Sequence, residues 1–193
     1  MPTNQDERIL SYLTSLSRFI DAFNTVIGRA VCWLALVMVL VQFGIVVMRY
    51  VFGAGSLAMY EIVVYLHGVL FMMAAAYTLA EDGHVRIDIF YRAARSRYQA
   101  VVNIIGVLAL LWPTCVLILY IAWPYVARSW SVLEGSRETS GLPGVFLFKT
   151  VILVFAVMLM LQGLSIVLRA FKTLRQGGED SGTGARPQAP PVV

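Results

Sequence analysis

The chain has 193 residues, of which 59% are hydrophobic and 13% charged, and its mean hydropathy is +0.76. Soluble domains carry about twice that share of charge, so a water-soluble globule is excluded. A collagen and a disulfide scaffold are excluded too, the chain having only two cysteines. The net charge of +4 fits the cationic cytoplasmic loops of a membrane protein, not nucleic-acid binding.

In residues 1–28, Ile9, Leu10, Leu13, Leu16, Phe19, Ile20, Phe23 and Ile27 recur at helical spacing. Asp6, Glu7, Arg18, Asp21 and Asn24 fill other positions. The pattern predicts an N-terminal amphipathic arm lying in the inner membrane interface, with packing on a partner protein as the alternative. The first long apolar run starts near Ala30, behind a polar lead and without a small-residue cleavage site, so it reads as an uncleaved span.

Crossing about 30 Å of hydrocarbon takes about 20 helical residues. Four stretches qualify, at about 30–49, 61–80, 98–127 and 145–168, within a four-helix transmembrane domain over 29–175. Lipid leaves an open strand's backbone without partners, so each is helical and the fold is all-α. The third carries Pro113, read as an internal kink, and Pro124, read as a marker near its outer end. Trp123, Tyr125 and Trp130 form an aromatic belt there. The tail, 176–193, is rich in Gly and Pro and reads as disordered.

Orientation follows the distribution of Lys and Arg. The N-terminus, the loop between spans two and three and the C-terminal tail hold eleven of them, against four on the opposite side. Both termini are therefore expected in the cytoplasm.

Ion-coupled carriers usually place carboxylates at mid-membrane depth. Here Glu61 and Glu81 bracket the second span, and no Asp or Glu falls at mid-depth. Apart from Cys and Tyr residues, His67 is the one titratable group well inside a span. It reads either as an inter-helix or inter-subunit hydrogen-bonding group or as a functional site. A haem site within the chain is disfavoured, because the only other histidine, His84, lies beyond the far end of the same span. Cys32 and Cys115 read as small apolar residues. With no nucleotide-binding, zinc-protease or serine-hydrolase motif, the chain is not expected to be an enzyme or to hold a cofactor.

Several polar residues need partners. Arg49 and Glu61 end consecutive spans, and either pair across the short loop between them or stand as independent interfacial charges. His84 and Asp88 are four residues apart, and Arg86 could reach a lipid phosphate or a partner carboxylate; a solvated loop is the plainer reading. Lys149 can snorkel outward or pair with Glu134 or Glu138. Gln162, deep in the last span, should bond to another helix. Residues 136–144 form a turn before that span.

These segments, in this order, resemble a known family. Arg49-Tyr50-Val51-Phe52 matches its RYxF pattern. Glu61 opens the second span, and Ala74-Ala75-Ala76 precedes a G-H-[VI]-R-[VI]-D motif at 83–88. The set is similar to the small membrane subunit, DctQ-like, of tripartite ATP-independent periplasmic (TRAP) transporters, over roughly residues 15–175. Tyr65-Leu66-His67, His84-Val85-Arg86, Gly141-Leu142-Pro143, Lys149 and Leu161-Gln162-Gly163 resemble the mannitol/chloroaromatic subgroup. Tyr60 stands where many members have the first of two acids.

The resemblance implies a bacterial inner-membrane protein that scaffolds a large TRAP membrane subunit. That subunit would take an organic acid from a periplasmic substrate-binding protein and move it using a sodium gradient. The small subunit itself would need no cofactor. Arg49, Tyr50, Glu61, His67, His84, Arg86, Asp88, Lys149 and Gln162 are the expected subunit-interface or structural residues.

Overall fold

The computed structural model describes residues 4–81, 96–138 and 140–175. Every regular element among them is helical. Helix α1 spans Asn4–Val51, α2 Leu57–Ala80, α3 Ser96–Gly106, α4 Trp112–Ser131 and α5 Val145–Arg175. A π-helical turn, Val107–Leu111, joins α3 to α4, so the third apolar stretch is one continuous path over Ser96–Ser131. Among the described residues, four helical segments are long and apolar enough to cross a membrane. At 1.5 Å per residue, α2 is about 36 Å long, close to what a bilayer requires.

The π-turn has a local cause. Pro113 offers no N–H, and its ring would strike the carbonyl four residues back, at Ala109. Widening the turn around Ala109 accommodates the ring. The disturbance expected at Pro113 is thus displaced one turn towards the N-terminus. Pro124 lies inside α4, near its outer end at Ser131.

Helix α5 is the hub. It touches α1, α2, α3, the π-turn and α4, and 39% of its most apolar window is buried, against 6–11% for the other spans. Helices α1 and α2 pair on one side of it. Glycines set the spacing. A Cβ on Gly28 would run into the Tyr77 ring, one on Gly68 into Phe148, and one on Gly163 into Leu111 and Val107 of the π-turn. Small residues allow such approach where the hydrophobic effect does not drive helices together. Beside Gly68, Tyr65 stacks on Phe148 with ring centroids 4.7 Å apart.

The expected arm is not a separate element. Helix α1 runs without a break from Asn4 through the first span. Ser17, Ile20, Asn24 and Gly28 are buried, while Tyr12, Leu16, Phe19 and Phe23 are exposed. Periodicity assigned Asp21 and Asn24 to the polar side of an amphipathic helix; in the fold both bond to α5. The expected disordered tail and the segment holding His84, Arg86 and Asp88 lie outside the described residues.

Candidate functional site

Among the described residues, polar side chains gather in two clusters, one towards each end of the bundle. The first is built on Glu61, in the opening turns of α2. Its Oε1 accepts from the Ser136 hydroxyl, and its Oε2 accepts from the Leu142 backbone N–H at 2.6 Å. The segment between α4 and α5 is thereby tied to α2. It is closed on itself by Ser136 N–H donating to Leu142 O and Phe146 N–H donating to Glu134 O. Gly141 is required at the point of closest approach, since a Cβ there would collide with Ser136 Oγ and the Glu61 carboxylate.

Helix α4 delivers Glu134 to the same cluster through a Schellman turn. Glu134 N–H donates to Ser129 O and Leu133 N–H to Trp130 O. Leu133 takes the left-handed position, at φ 43°, that glycine usually fills. Glu134 then accepts from Lys149 Nζ at 2.5 Å. This hydrogen bond holds the Glu134 carboxyl below its ordinary pKa. The Lys149 ammonium also sits 3.9 Å from the centre of the Tyr125 ring, a cation–π contact. Beside it Trp130 Nε1 donates to Thr150 Oγ1 at 2.8 Å and packs edge-on against Phe146. Between α2, α4 and α5 opens a cavity of about 710 Å³, lined by Glu61, Tyr65, Tyr125, Arg128, Arg137 and Lys149 among others.

The second cluster joins α1 to α5. Asn24 Nδ2 donates to Gln162 Oε1 at 2.7 Å, and Gln162 Nε2 donates to Asp21 Oδ1 at 2.9 Å. Ser165 Oγ donates to the same Asp21 oxygen at 2.7 Å, and Arg169 approaches its other oxygen at 3.5 Å. Asp21 and Asn24 are three apart on α1, and Gln162, Ser165 and Arg169 three and four apart on α5. Each set therefore projects from one face of its helix.

The expected site residues fare differently. Glu61 and Lys149 come together at one end. Gln162 finds the inter-helix partner its depth demanded. Arg49 and Glu61 do not form an ion pair: Arg49 donates to the Tyr60 hydroxyl at 3.4 Å, while Glu61 turns to Ser136 and Leu142. Tyr50 is exposed. His67 is also exposed, on α2, with its ring 6.5 Å from that of Phe71. Sequence reasoning missed Ser136, Tyr60, Asp21 and Asn24 as partners. The last two were detectable, because Ser17, Asp21, Asn24 and Gly28 form a stripe of small and polar residues at spacings of four, three and four.

In comparison with known proteins, residues 38–173 match the family model described as "Tripartite ATP-independent periplasmic transporters, DctQ component". The match covers more than half of the chain. No curated protein and no solved structure matches it.

Proposed function

The chain belongs to the DctQ family of TRAP transporter components, and from that premise we propose that it is a scaffold for the large membrane subunit of such a transporter. The family is one of multi-pass membrane transport components, not of enzymes. In our reading the chain lies in a bacterial inner membrane with both termini in the cytoplasm. The Glu61 end then faces the periplasm and the Asp21 end the cytoplasm. The large subunit moves an organic acid, received from a periplasmic binding protein, at the expense of a sodium gradient. The motif likeness to the mannitol/chloroaromatic subgroup assigns no substrate.

One observation carries this reading. Asp21 fastens α1 to α5, and Glu61 and Glu134 fasten the segment between α4 and α5 to α2 and to α5. Carboxylates used in this way hold a frame rigid; a carrier needs them open to a travelling ion. The cavity at the Glu61 end, with residues 50–60 and 128–145 around it, is the surface we assign to contact with the binding protein.

The test is reconstitution. Liposomes holding this chain with the large subunit and the binding protein should take up organic acid when a sodium gradient is imposed. Liposomes holding this chain alone should take up none. Accumulation by the chain alone would overturn the scaffold reading.

A further inference from the structure

Among the described residues, helix α2 has three occupied sides and one open one. Tyr77 and Met59 meet α1, at Gly28 and Gly44, while Tyr65 and Gly68 meet Phe148 of α5. Ala76 points into the bundle and is buried. The remaining side holds His67, Leu70, Phe71, Ala74, Ala75 and Thr78, the described residues that line an open depression of about 370 Å³. At 3.6 residues per turn they occupy roughly 140° of its circumference, wide enough to seat one neighbouring helix.

His67 decides what belongs there. It lies six residues from Glu61, about 9 Å along the axis, too far below the helix end for an imidazole to reach the water layer. It is exposed, and among the described residues its ring lies beside that of Phe71. Thr78, by contrast, is satisfied by the Ala74 carbonyl at 2.9 Å. Lipid tails offer His67 no hydrogen-bond partner, whereas a helix bearing a polar side chain does. Next to it, Ala74 and Ala75 leave room for a close helix–helix approach.

Resting on the scaffold reading above, we infer that this strip of α2 seats one transmembrane helix of the large subunit. That helix packs small or apolar residues against Ala74 and Ala75 and presents a hydrogen-bonding side chain to His67. The assignment commits the interface to α2 and leaves the broad apolar face of α1 to lipid.

The experiment uses the co-expressed two-subunit complex, with a benzoylphenylalanine photo-cross-linker introduced singly at positions 71 and 75 and, for comparison, at 36 on α1. Irradiation should yield an adduct of the two subunits' combined mass from 71 and 75. Position 36 should yield at least fivefold less. His67→Ala should lower recovery of the large subunit at least fivefold, and His67→Gln, which keeps hydrogen bonding, should restore most of it. Adducts from 36 only, or lipid adducts only from 71 and 75, would overturn the α2 assignment while leaving the scaffold reading intact. Failure of the wild-type chain to retain the large subunit would overturn both.

Discussion

Asn24 and Gln162 stand 138 residues apart in the chain and are joined by a 2.7 Å hydrogen bond in the interior of the bundle. Neither exposes any surface. The bond fixes the N-terminal half of α1 to the central helix, and Asp21 extends it to Ser165. Hydrogen bonds between membrane helices are individually modest, about 0.6 kcal/mol on average and up to about 1.7. Their effect here comes from sharing partners.

Gln162→Leu should therefore lower stability by about 1–2 kcal/mol, because it leaves the Asn24 amide buried and unpaired. Removing both partners should cost less than the sum of the single changes. Thermal unfolding of the purified protein in detergent, arranged as a double-mutant cycle with Asn24→Leu, measures this. Strict additivity would contradict the bond.

Glu61 holds the segment between α4 and α5 through the Leu142 amide. In Glu61→Ala that amide should exchange with solvent markedly faster, while amides in the middle of α5 should not change. Hydrogen-exchange mass spectrometry resolves the two regions. Because Arg49 bonds to Tyr60 and not to Glu61, the double charge swap Arg49→Glu/Glu61→Arg should not recover what Glu61→Arg loses. Recovery would restore the ion pair that the loop length suggests.

Leu133 holds a left-handed conformation at φ 43° and is largely exposed. A side chain there costs roughly 1–2 kcal/mol, partly offset by the greater freedom of glycine in the unfolded chain. Leu133→Gly should raise stability by about 0.5–1 kcal/mol. A lower melting temperature would show that the Leu133 side chain contributes more than its exposure implies.

Acid should release the Glu134–Lys149 bond. The folded Glu134 carboxyl has a pKa below the ordinary value of 4.5. Its stabilising contribution is therefore fully present above that value and is lost as pH falls through the depressed folded one. Melting temperature measured from pH 7 down to pH 3 should drop more steeply in the wild type than in Glu134→Gln. Parallel curves would mean that the bond adds nothing to stability.

The four spans were legible because two physical limits coincide in the sequence. Apolar runs of about 20 residues match the hydrocarbon thickness, and charges bound those runs even where the helices continue past them, at Arg29, Arg128 and Arg169. The need of Gln162 for a partner was legible for the same reason, as was the disturbance around Pro113. Arg49, Glu61, Asp21 and Asn24 were legible as polar groups at span ends or on an arm, but their partners were not.

That difference has one cause. In water, an apolar stripe marks the buried face of a helix. In lipid both the bundle interior and its surroundings are apolar, so periodicity leaves rotation about the helix axis undetermined. The sequence by itself determined which four segments are long and apolar enough to cross a membrane. Only the tertiary structure decided that Asp21 and Asn24 turn towards α5, that Glu61 takes Ser136, and that His67 faces away from the bundle. Those choices rest on glycine-spaced contacts between helices distant in sequence, Gly28 against Tyr77 and Gly68 against Phe148, which no single segment's pattern records.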